Sequence, residues 1–270
     1  MKRRILLAAI AASPAIALFG CSKNDSSSAQ KTIKLGTLSG PHAEVAEEAK
    51  KVAAKKGLNV QIIEFSDYGQ VNEALAAKDI DCNAFQHVPF LEKAKSSKGY
   101  QFTALGKTVL FPLGVYSQKI HTKTEIADGM LVSVPADPAN LGRGLQLLEK
   151  AGLIKLKEGA GFKATLADVV DNPKHLQFKE LEAAQLPRSI DDLDAATITM
   201  NYVMSAGLDP AKQGIFLEDK DAPLALMVIA ARPDNKDSEA VQKFVKAYHS
   251  DEVKKFIADK YKGTIVPGWS

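Results

Sequence analysis

Two cysteines, Cys21 and Cys82, are too few for a disulfide framework, and nothing in their spacing suggests a metal site. Aromatic residues are sparse at 7%, with one tryptophan. The chain has no G-x-S-x-G, H-E-x-x-H or C-x-x-C motif and no glycine-rich phosphate loop. Its five histidines, His42, His87, His121, His175 and His249, lack metal-ligand spacing. An excess of charge is missing too. The 35 Lys and Arg exceed the 32 Asp and Glu only through Lys2, Arg3 and Arg4. The remainder is electrically balanced, which gives no case for nucleic acid. What the chain does have is 46% hydrophobic residues over 270 positions, enough to bury a core as one large domain or two lobes.

The N-terminus reads as an address. Lys2-Arg3-Arg4 precedes an apolar run from Ile5 to Phe19, which at fifteen residues is short of the roughly 20 that a spanning helix requires. Residues 1–20 are thus expected to be a signal peptide. Leu18-Phe19-Gly20-Cys21 resembles the bacterial lipobox Leu-x-[Ala/Gly]-Cys, which makes Cys21 the lipidated residue; several acyl chains together give stable anchoring. Residues 21–30 then form a polar tether.

From Lys31 onward, strand and helix signals alternate. Strands are predicted at Thr32–Leu38, Asn59–Phe65, Ile80–Phe85, Thr103–Leu110, Leu113–Ser117, Met130–Pro135, Gln177–Leu181, Ala195–Thr199 and Leu224–Ala231. Helices are predicted at Glu44–Lys56, Val71–Ala77, Pro89–Lys98, Pro138–Ala151 and Asn201–Ala206, with one long amphipathic helix over Ser238–Tyr261. Ala183–Arg188 reads as a helix broken at Pro187. The alternation argues for α/β architecture on parallel sheets, in two lobes.

Three places draw attention as candidate sites. Phe85, His87 and Phe90 gather where a strand hands over to a helix, the end of an open sheet at which ligands bind. They fit an apolar slot with one polar tip, or equally a core pair with a capping imidazole. Arg143 stands near the start of a helix, where the dipole disfavours a cation; anion binding would justify it, and so would an acid such as Glu149. Asn201 follows a strand and could hold an ammonium by its carbonyl oxygen. Asp79-Ile80-Asp81 reads as turn chemistry rather than a catalytic pair, and Cys82 as a small buried hydrophobe.

Longer stretches carry a resemblance. They include Asp67-Tyr68 with Asn72-Glu73-Ala74-Leu75, Asn83 with Phe85-Gln86-His87, and Pro112–Ser117. Further on are Asp137-Pro138-Ala139-Asn140 with Arg143, Glu180-Leu181-Glu182-Ala183-Ala184-Gln185-Leu186-Pro187-Arg188-Ser189, Asn201-Tyr202, Asp234–Asp237 and Gly268-Trp269. In this order they resemble the methionine-binding lipoproteins of bacterial ABC importers, the NlpA-type lipoproteins. That resemblance implies a two-lobed periplasmic-binding-protein fold (type 2-like) with a ligand cleft between lobes. Residues 31–118 plus 229–270 would form one lobe and 119–228 the other. It implies no enzyme and no cofactor, an amino-acid ligand, an ABC permease and its ATPase as partners, and lipid anchorage in the bacterial envelope on the periplasmic or extracytoplasmic side. By the same resemblance Tyr68, Phe85, His87 and Phe90 would surround a thioether side chain, Arg143 with Asn140 would take the α-carboxylate, and Asn201 the α-ammonium.

The chain also departs from that family. Where the family has Pro-Tyr-Val-Asn-Leu-Ile-Val, this chain has Pro223-Leu224-Ala225-Leu226-Met227-Val228-Ile229, so an amide is replaced by Leu226 or Met227. Thr199 replaces a second Asn, and Val71 a Pro. These changes open the alternatives of another apolar amino acid or a short peptide as ligand; an adhesion-type envelope lipoprotein is a further alternative.

Overall fold

In a computed structural model, residues 31–219 and 222–270 are described. The expected signal peptide, Cys21 and the tether lie outside them. The chain begins with β1 (Lys31–Leu38), α1 (Pro41–Lys55), β2 (Leu58–Phe65), α2 (Tyr68–Ala76), β3 (Cys82–His87), α3 (Val88–Lys98) and β4 (Thr103–Leu110). A second group follows: β5 (Leu113–Tyr116), β6 (Leu131–Pro135), α4 (Pro138–Lys150), β7 (Lys155–Leu156), β8 (Val169–Asp171), β9 (Gln177–Leu181), α5 (Leu186–Asp192), β10 (Ala195–Thr199), α6 (Met200–Ser205), α7 (Pro210–Gln213) and β11 (Gly214–Leu217). The chain then returns through β12 (Leu226–Ala231), α8 (Glu239–Tyr248), α9 (Asp251–Tyr261) and β13 (Val266–Pro267).

Local chemistry explains where the helices begin. Asp67 caps α2 by accepting from Gly69 N at 2.7 Å, and Asp137 caps α4 by accepting from Asn140 N at 2.9 Å, with Pro138 next in the first turn. The α1 helix turns Val45, Ala46, Ala49, Val52 and Ala53 to the core and is followed by Gly57 at φ +73°, a conformation that suits glycine.

Two sheets make the two lobes. The first has the order β13-β4-β12-β3-β1-β2, the second β11-β5-β10-β6-β9. Neither is wholly parallel as expected. β12 runs antiparallel to β3 and β4, and β5 antiparallel to β10 and β11, because the chain crosses between lobes and re-enters each sheet from the opposite end. The outward crossing falls at Phe111–Pro112, so β5 lies in the second sheet, ahead of the boundary expected near 118. The return spans 218–225, ahead of the expected 229. The two crossings pair through Phe111 N donating to Ala225 O at 2.7 Å.

Other differences have local causes. The long helix over 238–261 is two, α8 and α9, because Ser250 adopts extended dihedrals and caps α9 at Val253 N. Pro187 opens α5 rather than breaking a helix, since its missing N–H is harmless in the first turn. β7, β8, α7, β11 and β13 had no clear sequence signal and are four residues or fewer.

One core cluster joins the lobes, with Met200, Tyr202 and Val203 of α6 packed beside α1, α8 and the first sheet. A second lies within the other lobe between α4 and its sheet. Here α4 is pressed against residues 161–163, so a β-carbon on Gly142 would lie 2.1 Å from the Phe162 carbonyl oxygen. In a free helix Gly→Ala is favourable by about 1 kcal/mol. Gly142→Ala should instead destabilise by about 1–3 kcal/mol through overpacking, as read by urea unfolding.

Candidate functional site

Between the lobes is a small cavity lined by Tyr68, Phe85, Gln86, His87, Phe90, Asn140, Arg143, Thr199 and Met227. The walls are drawn in, leaving the centre of a water molecule only about 10 Å3. A larger depression of about 400 Å3 opens beside α5 and α6, but Arg188 and Asp191 on its rim are solvent-exposed and it lacks the aromatic wall.

The first lobe supplies the aromatics. Tyr68 starts α2, Phe85 and His87 end β3, and Phe90 lies in the first turn of α3. Tyr68 packs edge-on to Phe90 with centroids 5.5 Å apart, and Phe85 edge-on to Phe90 at 5.9 Å, geometry that suits the ring quadrupoles. A β-bulge helps place them. β12 pairs Val228 with Gln86 and then Ile229 with Ala84, which leaves Phe85 as the extra residue. Strict alternation would put Asn83 and Gln86 on opposite faces; the bulge lets Gln86 Nε2 donate to Asn83 Oδ1 at 2.9 Å. Asn72 completes this buried group, accepting from Asn83 Nδ2 at 3.0 Å and from Gln86 Nε2 at 2.9 Å while donating to Gln86 Oε1 at 2.9 Å.

His87 serves both purposes left open by the sequence. Its Nδ1 accepts from Phe90 N at 3.1 Å and so caps α3, while its ring lines the cavity. Since Nδ1 accepts, the proton resides on Nε2, which donates to Asn140 Oδ1 at 3.0 Å. Asn140 Nδ2 in turn donates to both carboxylate oxygens of Asp137, at 3.0 and 3.1 Å. Burial, reinforced by the nearby Arg143 charge, lowers the His87 pKa from the usual 6.5 to about 3. Asp137 is pushed upward by burial, against the pull of its bonds from Asn140.

The second lobe supplies the polar wall, and two expectations change. Arg143 is almost wholly buried, one and a half turns into α4, but it is not given over to the cavity. Nε donates to Glu218 Oε1 at 2.7 Å, and Nη2 to Glu218 Oε2 and to the Phe111 carbonyl, the latter at 2.7 Å. The acid that pairs it is thus Glu218; Glu149 instead accepts from Leu156 N at 2.7 Å. Only Nη1 is buried without a partner. Asn201 does not line the cavity directly. Its Oδ1, the atom expected to hold an ammonium, accepts from the Tyr68 hydroxyl at 2.9 Å, and Nδ2 is the buried atom without a partner. Thr199 lies 2.8 Å from the same hydroxyl and donates to it, as the Tyr68 proton is committed to Asn201. Tyr68 thereby bridges the lobes, and burial raises its pKa.

Sequence reasoning did not identify Gln86, Thr199 or Met227 as lining residues. Gln86 is hidden by the bulge, while Thr199 and Met227 were noticed only as departures from a family pattern. Of the two candidates for the replaced amide, Met227 faces the cavity, whereas Leu226 pairs with Leu110 and is packed against Gly268. Asp81 precedes β3 and accepts from Lys34 N at 2.7 Å, the turn and strand-entry role expected of it, and Cys82 is buried. Among the described residues no cluster of His, Cys, Asp and Glu could hold a metal ion, and no helix is long and apolar enough to cross a membrane.

Comparison with known proteins is consistent across sequence and structure. The model of the NlpA lipoprotein family matches residues 33–269. The D-methionine-binding lipoprotein MetQ of Escherichia coli O157:H7 is 49% identical over 257 residues, 94% of each chain. Among solved structures, that of the methionine binding protein MetQ superposes with a TM-score of 0.85 at 50% identity, covering 88% of this chain and 98% of the other. A nutrient binding protein from Burkholderia cenocepacia bound to methionine has a TM-score of 0.85 at 46% identity, covering 88% and 100%.

His87 and His42 make the fold sensitive to acid. Both are buried, with pKa values lowered by burial from 6.5 to about 3. Between those values the unfolded chain takes up a proton that the folded chain does not. Stability is therefore full above pH 6.5 and declines as pH falls toward 3. At pH 5 the loss should be about 2 kcal/mol for each histidine. Urea unfolding at pH 7.5, 6.5, 5.5 and 5.0 measures it; a flat profile would contradict two neutral imidazoles.

Proposed function

The chain belongs to the NlpA lipoprotein family, and from that membership and its cleft we propose that it is the substrate-binding lipoprotein of an ABC importer, taking methionine between its lobes. The observation that carries this reading is the pairing of an aromatic wall with a buried cationic donor lacking a partner, Arg143 Nη1. A buried donor without a partner costs roughly 1–3 kcal/mol, a penalty that a ligand carboxylate would relieve at Arg143.

In this reading Tyr68, Phe85, His87 and Phe90 surround the thioether. Sulfur at aromatic edges is favourable by about 0.3–1.5 kcal/mol. Arg143 receives the α-carboxylate, with Asn140 beside it. By the family resemblance Asn201 takes the α-amino group, although it stands behind Tyr68 and outside the cavity lining. Because the Tyr68 hydroxyl can accept as well as donate, a half-turn of the Asn201 amide exchanges its N–H for its carbonyl oxygen without losing the bond to Tyr68. Closure brings the two lobes together about the crossings at Phe111–Pro112 and 218–225, and the closed form is the one delivered to the permease. Cys21 carries the lipid that retains the protein in the envelope, with residues 22–30 as tether. Its work is binding and delivery rather than catalysis.

Met227 supports a second reading of the same cleft. A flexible apolar side chain where relatives present an amide favours a more apolar amino acid or a short peptide. A thermal-shift panel separates the two: the full chain in detergent, refolded to remove carried-over ligand, against all amino acids, both methionine enantiomers and methionyl dipeptides. At 100 times its Kd a ligand adds about 2.7 kcal/mol of stability. Methionine should give the largest shift, and Arg143→Ala should weaken binding about 10- to 150-fold, the equivalent of a charged hydrogen bond. A larger shift from another compound would favour the second reading, and no shift at all the adhesion role.

A further inference from the structure

Arg143 is held by its neighbours more tightly than ligand binding requires. Its side chain is 1% exposed and that of Glu218 11% exposed. Glu218 occupies the Nε–Nη2 edge of the guanidinium, the fork that ordinarily receives a carboxylate with two parallel bonds. Glu218 is itself fixed, since Oε2 accepts from Leu113 N at 2.8 Å and its own N donates to Leu113 O at 2.8 Å. The Phe111 carbonyl takes a further Nη2 bond. The guanidinium therefore cannot turn its fork to the cavity; it presents Nη1 alone.

The charges around the cavity are also specific. Arg143 contributes a positive charge and Glu218 a negative one directly behind it. His87 is neutral, as its contacts to Phe90 and Asn140 require. Behind Asn140, Asp137 accepts from its Nδ2 with both carboxylate oxygens, the arrangement of an ionised group, and so supplies a second negative charge against the upward push of burial on its pKa. A ligand that brings an ammonium together with its carboxylate adds no net charge to this set and matches the pattern. An acid of the same shape without the ammonium meets a surplus of negative charge in surroundings where screening is weak.

We propose that Glu218 is a specificity-determining residue of the cleft: by filling the fork of Arg143 and cancelling its charge, it tunes the site to a net-neutral amino acid over the corresponding net-anionic acid. The proposal rests on the methionine reading above and adds a positioning residue that does not itself touch the ligand.

The test compares L-methionine with its 2-hydroxy analogue, an anion of nearly the same shape, by calorimetric titration of the full chain in detergent. The unaltered protein should prefer methionine at least tenfold. In Glu218→Gln the fork and the charge of Arg143 are released, and the ratio should move toward the anion by tenfold or more. A merely structural role would weaken both ligands by the same factor, and an unchanged ratio would overturn the proposal. Should Glu218→Gln fail to fold, Glu218→Asp withdraws the carboxylate by one methylene; a shift of threefold or more in the same direction is expected, and no shift overturns it. If the unaltered protein bound neither ligand, the methionine reading itself would fall, an outcome distinct from an unchanged ratio in the variant.

Discussion

The Arg143–Glu218 pair is the constraint on which the site depends, because its partners lie on both crossings between the lobes. Arg143 belongs to a helix of the second lobe, the Phe111 carbonyl to the outward crossing and Glu218 to the return. Phe111 and Ala225 then bond the crossings to each other. A buried guanidinium is costly unless its hydrogen bonds are met, and here an acid and a carbonyl meet them at the pivot rather than within the cleft. In the methionine reading proposed above, the same group both ties the two crossings together and offers Nη1 to the ligand. Farther from the pivot the lobes are joined by weaker, replaceable bonds: His87 to Asn140, Tyr68 to Thr199 and Asn201, and Tyr202 to the Ser66 carbonyl.

Behind the aromatic wall the Asn72–Asn83–Gln86 group shows how polar atoms are accommodated in a buried place. Each amide finds partners within the group, so the cost of burial is met without a charge. Because Asn72 is on α2 and the other two are on β3, the bonds also set how α2 lies on the sheet, and α2 begins with Tyr68.

Much of this architecture was legible in the residues. Apolar spacing located α1, β1 and β2, and the Asp-Pro pair at 137–138 marked the start of α4. Strand direction was not legible, because β4 and β5 look alike as apolar runs whether they pair parallel or antiparallel; only the crossings decide. The division of α8 from α9 was missed because the apolar period continues through His249–Ser250. At the site, the aromatic cluster and Arg143 stood out as residues in unusual places. The partner of Arg143 could not be read, since Glu218 is distant in sequence and is brought alongside by the return of the chain. Asn140 lines the cavity as the resemblance implied, whereas Asn201, expected to offer its carbonyl oxygen to an ammonium, has that oxygen bonded to Tyr68 and stands outside the lining.

His87 carries a consequence for how such a cleft changes over time. One imidazole terminates a strand, caps a helix, contacts the opposite lobe and lines the cavity. A replacement that alters the cavity there also loses the cap unless the new side chain is itself a capping one (Ser, Thr, Asn or Asp), a cost of roughly 0.5–2 kcal/mol before binding is considered. Met227 has no such second duty among the described hydrogen bonds, and it stands on the same wall. Mutational routes to a new ligand are thus unequal: Met227, a buried core residue, tolerates apolar changes that conserve its volume, whereas His87 is pinned by several duties at once.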